Sequence, residues 1–195
     1  MRRAVVVLVA VLLALAGCTS SGAPDGDAAP SSSPGVQDVD TALQPCPEQT
    51  GDPITAGEAL PPMTFDCIGG GTLDLSRAPG TPMVLNLWGS WCGPCREELP
   101  LVQQLADAAG DEVLVMGVAS GDPLTAADSF AEDAGVTFPN AFDKYRDLMA
   151  ELGINVLPFT YFVAADGTLA YTQVGPVRSL AEFEQLVADH LGVTL

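Results

Sequence analysis

Two cysteines three residues apart, in Trp91-Cys92-Gly93-Pro94-Cys95, carry the residue types best suited to chemistry in this chain. They follow the apolar run Val84–Trp88, which reads as a buried strand, and precede a polar segment with helical spacing. Gly93-Pro94 marks the break between the two elements. Residues at i and i+3 of a helix share a face, so Cys92 and Cys95 can join in a disulfide. Cys92 falls at the helix N-terminus, where unpaired N–H groups and the helix dipole favour a thiolate. It is the expected attacking sulfur, and Cys95, one turn deeper, is the expected resolving thiol. Zinc binding is the weaker alternative, because there is no second CxxC and His190 is the sole histidine. A purely structural disulfide spanning two residues would also be an odd device for stability.

The elements that position this motif follow from the rest of the chain. Met63–Cys67 and Thr72–Leu75, around Gly69-Gly70-Gly71, read as a hairpin. The motif helix is expected over Cys92–Ala109, kinked at Pro100 and stopped at Gly110. Glu112–Ala119 is almost wholly apolar, as befits a central parallel strand covered on both faces. Further helices are expected over Ala126–Ala134 and Lys144–Leu152, with a short strand within Val136–Phe142. Phe159–Ala164 and Thr168–Val174 form a hairpin across Asp166-Gly167. Ser179 and Glu182 make a capping box for a last helix to about His190. The order implies an α/β fold with a mixed central sheet flanked by helices.

The termini and charge bound the setting. Met1-Arg2-Arg3 precedes an uninterrupted apolar run from Ala4 to Ala16, too short to span a bilayer comfortably and fitting a secretory signal. Leu15-Ala16-Gly17-Cys18 resembles the bacterial lipobox, which implies cleavage before Cys18 and attachment of acyl chains to it. A plain secretory signal and an uncleaved anchor helix are the alternatives. Residues 19–40 are rich in Gly, Pro and Ser and read as a flexible linker. The expected organisation is a signal peptide over 1–17, a lipidated cysteine and disordered linker over 18–44, and one folded domain over 45–195. The net charge of −18, more negative once Arg2 and Arg3 leave, argues against nucleic acid and against anionic lipid headgroups as partners.

Five cysteines then divide into a lipidated Cys18, the pair Cys92 and Cys95, and a further pair, Cys46 and Cys67. Outside the cytoplasm disulfides persist, so a structural Cys46–Cys67 bridge is the simplest assignment; two free thiols or a second redox pair is the alternative. Glu98 lies one turn beyond Cys95 and could relay its proton; otherwise it is a solvated acid beside Glu97. Trp91 is expected to line the site, Trp88 to pack in the core and His190 to lie at the surface.

These residues together resemble the thioredoxin-like superfamily, and within it the TlpA/ResA group of membrane-tethered, extracytoplasmic oxidoreductases. The resemblance covers about residues 58–192. Asn86 stands where thioredoxins carry a buried aspartate, as is usual in that group, and Cys95-Arg96-Glu97-Glu98-Leu99-Pro100 matches its stretch after the second cysteine. The resemblance implies a thioredoxin-like fold with an N-terminal β-hairpin extension and a central αβ insertion at about Thr125–Phe142. It identifies Glu98 with the group's glutamate near the active site and Pro158 with its cis-proline, which faces the dithiol. Trp91, Gly93, Pro94, Leu157 and Pro158 would then contact the substrate. Phe159 departs from the threonine often found after that proline.

The implied activity is protein dithiol–disulfide exchange with no cofactor and no metal. Gly93-Pro94 matches thioredoxin, whose potential of about −270 mV is reducing, so reduction of disulfides in exported cysteine-containing proteins, such as apocytochrome c, is the expected direction. The implied electron donor is a membrane thiol transporter of the CcdA/DsbD type, and the protein is expected to act as a monomer. Two other readings stand beside this one: a thiol oxidase using the same residues in reverse, and a copper-delivery protein, for which the cysteine spacing is one residue short.

Overall fold

The computed structural model describes residues 39–55 and 57–195. The signal peptide, Cys18 and most of the expected linker lie outside the described residues. Two short strands, β1 (Thr64–Asp66) and β2 (Thr72–Asp74), pair antiparallel as a separate hairpin. The main sheet contains β3 (Met83–Trp88), β4 (Leu114–Ser120), β5 (Asn140–Asp143), β6 (Phe159–Val163) and β7 (Leu169–Val174), in the order β5-β4-β3-β6-β7. The β3–β4–β5 half is parallel and the β6–β7 half antiparallel. The helices are α1 (Gly93–Ala109), α2 (Leu124–Asp133), α3 (Asp147–Glu151) and α4 (Leu180–Leu191). This is the expected thioredoxin-like α/β architecture, with its hairpin extension and with α2 and β5 as the central insertion.

Strand alternation divides the core into two layers. Val84 and Trp88 of β3 point to one face, where Leu99, Val102 and Leu105 of α1, Phe130 of α2 and Phe183 and Val187 of α4 cover them. Met83, Leu85 and Leu87 point to the other, under Leu73 of the hairpin and Leu148 and Met149 of α3. All six residues of β3 are buried, which explains why every position but Asn86 is apolar.

On the α1 face one row of the sheet is polar. Register aligns Thr160, Asn86, Gly117 and Asn140 across β6, β3, β4 and β5. Trp88 donates from Nε1 to Asn140 Oδ1 at 2.7 Å, and Asn140 Nδ2 donates to the Phe138 carbonyl at 2.9 Å. Gly117 is required here because a Cβ would collide with Asn140 Oδ1 and crowd the Trp88 indole nitrogen. Trp88 is thus a core residue, as expected, with its polar atom satisfied.

Several boundaries differ from the sequence reading. The segment assigned to the linker packs before residue 45: Leu43 is buried, Thr41 Oγ1 donates to Asp128 Oδ1 at 2.6 Å, and Gln44 N donates to the Thr137 carbonyl at 2.8 Å. A single buried leucine and a few hydrogen bonds leave little compositional trace. The helix expected over Lys144–Leu152 begins only at Asp147, because Arg146 adopts a left-handed conformation (φ 65°). The strand expected within Val136–Phe142 is Asn140–Asp143. Helix α1, by contrast, ends at Ala109 before Gly110 as expected, with Pro100 inside it. His190 is partly exposed on α4, and its ring stacks on Tyr171, centroids 3.9 Å apart and 3° from parallel.

Candidate active site

Strand β3 delivers the chain to its C-terminal edge, where residues 89–92 turn into α1. Cys92 is the N-cap of α1 with extended backbone (φ −89°, ψ 108°), and its Sγ accepts a hydrogen bond from Cys95 N at 3.2 Å. Pro94 sits in the first turn, where its missing N–H has no helical partner to lose. Cys92 and Cys95 are joined, with Cα atoms 5.3 Å apart, and both sulfurs' residues are buried. When the bond opens, Cys92 is left at the positive end of a helix of 17 residues, with an amide already directed at its sulfur.

The approach loop is tied down from below. Ser90 donates to Asp122 twice, from N to Oδ2 at 2.7 Å and from Oγ to Oδ1 at 2.6 Å. Trp91 Nε1 donates to the Ser120 carbonyl at 3.1 Å, and the Arg146 guanidinium lies 4.5 Å from the Trp91 ring centroid. Ser120 Oγ in turn donates to Asp143 Oδ2 at 2.6 Å, and Asp143 Oδ1 accepts from Asp147 N at 2.8 Å, fastening β5 and the start of α3 to the same edge. Ser90, Asp122, Ser120, Asp143 and Arg146 were absent from the sequence reading. Serine and aspartate scattered over some 50 residues carry no periodic signal; only the parallel register brings them together.

Glu98 is the unusual group. It lies on the same face of α1 as Cys95 and is only 1% exposed, so the solvated-acid alternative is excluded. Its Oε1 accepts from Val177 N at 2.7 Å and its Oε2 from Asn86 Nδ2 at 3.0 Å. Burial pushes its carboxyl up from the ordinary glutamate value, against the opposing pull of those two hydrogen bonds. Asn86 also donates to Thr160 Oγ1 at 2.9 Å, while its buried Oδ1 has no partner among the described residues. An amide at Asn86 in place of a carboxylate spares the buried acid a like charge at that contact, although the Glu182 carboxylate still adds to the upward push. The arrangement can hold a thiolate at Cys92 and receive a proton near Cys95.

The Leu157–Pro158 peptide bond is cis. Leu87 pairs with Phe159, so Pro158 lies level with the end of β3, beside the turn that leads to Cys92. Pro158 is buried with its carbonyl accepting from Gly175 N at 3.1 Å, and Leu157 is half-buried. Gly93 and Pro94 are exposed at the start of α1, and Trp91 is exposed beside them. The structure therefore gathers Trp91, Cys92, Gly93, Pro94, Cys95, Glu98, Leu157 and Pro158 at one edge of the sheet.

Cys46 and Cys67 stand apart from that group. They are bonded to each other with Cα atoms 6.0 Å apart, tying the leading segment to the hairpin. Cys46 N donates to the Gly70 carbonyl and Cys67 N to the Gly71 carbonyl, at 2.9 and 3.0 Å. Among the described residues no group of His, Cys, Asp and Glu is arranged to hold a metal ion, and no helix is long and apolar enough to cross a membrane.

Comparison with known proteins agrees with this geometry. A family model described as Redoxin matches residues 55–188. The thiol–disulfide oxidoreductase ResA of Geobacillus thermodenitrificans is 30% identical over 117 residues, covering 58% of this chain and 66% of the relative. ResA of Bacillus subtilis is 26% identical over 141 residues, covering 72% of this chain and 76% of the relative. Among solved structures, MTB DsbF, in mixed oxidized and reduced forms, superposes with a TM-score of 0.62 at 27% identity, covering 69% of this chain and 98% of that one. With a helix-capping dithiol, a buried glutamate one turn along and a cis-proline at the same sheet edge, this chain belongs to the Redoxin family, as one of its ResA-like thiol–disulfide oxidoreductases.

Proposed function

We propose that this protein is a lipid-anchored, extracytoplasmic reductase of disulfides in exported proteins. The observation that carries the exchange chemistry is the Cys92–Cys95 pair at the N-cap of α1 with Glu98 buried one turn below it. In the reduced enzyme the Cys92 thiolate attacks a target disulfide, forming a mixed disulfide and releasing one target sulfur as a thiolate. Cys95 then gives up its proton towards Glu98 and attacks Cys92 Sγ. The Cys92–Cys95 bond forms, the second target sulfur leaves as a thiolate, and two electrons have passed to the target. The raised affinity of Glu98 for a proton suits it to accept one from a thiol, because it narrows the gap between the two groups. Trp91, Gly93, Pro94, Leu157 and Pro158 form the surface the target approaches.

The anchor rests on Cys18 in its lipobox-like setting, and Gly93-Pro94 between the cysteines supports the reducing direction. An exported thiol protein such as apocytochrome c fits as the target. A membrane thiol transporter of the CcdA/DsbD type would restore the dithiol.

Substrate trapping tests this reading. Cys95→Ala should accumulate mixed disulfides on Cys92, which mass spectrometry of the full chain would identify together with the lipid on Cys18. Trapping through Cys46 or Cys67, or none at all, would overturn the assignment. Equilibration with glutathione should place the Cys92–Cys95 potential nearer to about −270 mV than to the about −120 mV of a strong oxidant; the latter value would reverse the direction.

A further inference from the structure

Three polar side chains are sealed between the sheet and α1: Asn86 of β3 and Thr160 of β6, both 0% exposed, and Glu98 of α1 at 1%. Antiparallel register sets Asn86 beside Thr160, and on its other flank the parallel register sets Gly117, which has no side chain to offer. Both amide hydrogens of Asn86 are used: Nδ2 donates to Glu98 Oε2 at 3.0 Å and to Thr160 Oγ1 at 2.9 Å. Its Oδ1, also buried, has no partner among the described residues. A buried polar atom without a hydrogen bond is costly and calls for a physical reason.

This pattern suits only one charge state of Glu98. Its Oε1 faces Val177 N at 2.7 Å, a backbone donor that cannot change role, so Oε1 stays an acceptor and an added proton belongs on Oε2. Oε2 then carries a hydrogen of its own, yet a hydrogen of Asn86 Nδ2 already points at it. Turning the Asn86 amide over about χ2 removes the conflict, because its two ends are almost alike in size and that torsion is close to two-fold. Oδ1 then accepts from Glu98 Oε2. The Thr160 hydroxyl, an acceptor in the first state, rotates and donates to the same oxygen. Each orientation makes two hydrogen bonds with one end of the amide and leaves the other end unpaired.

We infer that Asn86, with Thr160 beside it, is a positioning residue for the proton transfer of disulfide exchange: its amide turns nitrogen towards Glu98 when that group is a carboxylate and oxygen towards it when it is protonated. The inference rests on the proposed role of Glu98 as acceptor of the Cys95 proton. In that step the S–H bond of Cys95 breaks, an O–H bond forms at Glu98 Oε2, and the electron pair stays on sulfur for its attack on Cys92 Sγ. The titratable and charged groups around Glu98 are Cys95 and Glu97 on its own helix, Arg178 ahead of α4 and Glu182 on α4. From the sheet it meets the neutral Asn86, with Thr160 behind.

The first test is NMR on the oxidised full chain, where Cys92 and Cys95 are bonded and Glu98 titrates without them. The Glu98 carboxyl carbon marks its titration. Above it, the Asn86 Hδ2 protons should show NOEs to the Thr160 side chain; below it those NOEs should be lost. In Glu98→Gln, where an amide nitrogen can donate to Asn86 Oδ1 at every pH, they should be absent throughout. NOEs unchanged across the titration, or kept in Glu98→Gln, overturn the inference and leave the role of Glu98 standing. The second test is the pH profile of mixed-disulfide resolution. Asn86→Leu removes the donor to the carboxylate and should move the limb that reports Glu98 upwards by about one pH unit, the low end of what a hydrogen bond to a charged group is worth. An unmoved limb would mean that Asn86 only fills space, and also overturns the inference. Should Asn86→Leu fail to fold, the NOEs of the parent decide. Resolution by Glu98→Gln at the parent rate counts instead against Glu98 as the proton acceptor.

Discussion

The molecule carries two buried disulfides in contrasting settings. Cys46–Cys67 spans 21 positions and is embedded in backbone hydrogen bonds to the glycine turn of the hairpin, against an apolar layer. Cys92–Cys95 spans 3 positions at the start of a helix, above a polar row that holds a buried acid. Burial alone therefore does not distinguish a staple from a reactive centre. What differs is whether free amides face the sulfur and whether a proton acceptor stands behind it.

The sharpest way to break that contrast is to remove one pair at a time. Cys92→Ala should abolish disulfide reduction, a loss of at least about 1,000-fold, whereas Cys46→Ala with Cys67→Ala should leave the rate within about 3-fold at a temperature where the domain is folded. A comparable loss from both would mean that the hairpin bridge belongs to the catalytic path. Next in size, Glu98→Gln should slow resolution of the mixed disulfide by roughly 100-fold, the lower end of general acid–base effects, while formation of the mixed disulfide by Cys92 changes little. Rapid quench and mass spectrometry would separate the two steps.

On stability the order reverses. Loss of the Cys46–Cys67 bridge releases a loop of about 22 residues and should cost roughly 3 kcal/mol in urea unfolding. The smallest effect comes from Glu98. Its folded-state proton affinity is raised, so the native state holds the proton more tightly than the unfolded chain. Stability contributed by this group is full below the ordinary carboxyl range and is lost as pH rises from there to the raised value, then stays level. Glu98→Gln should flatten that segment of the stability–pH curve; an unchanged slope would show that the buried acid is not its source.

Much of this was legible in the chain. Strand β3, the dithiol, the stop at Gly110 and the Ser179–Glu182 cap are local patterns, and the cap is observed as Ser179 Oγ accepting from Glu182 N at 3.2 Å. Other features were hidden because their partners are distant in sequence. Trp88 and Asn140 are 52 residues apart, Ser90 and Asp122 are 32 apart, and Glu98 and Val177 are 79 apart. Lys144–Arg146 looked helical by composition, yet the left-handed turn at Arg146 follows from the anchoring of Asp143 to Ser120 and from the stack on Trp91.

The sequence by itself located the Cys92–Cys95 pair, since an i, i+3 pair after an apolar strand and a Gly-Pro break is a short-range matter of helix geometry. It also settled the order of strands and helices, because burial on one or two faces writes its own periodicity. Only the tertiary structure decided that Glu98 is a buried acid and not a solvated one, that Cys46 reaches Cys67, and that Asn86 stands between Thr160 and that acid. Those outcomes depend on sheet register and on water being excluded between packed layers, which arise only when distant segments meet.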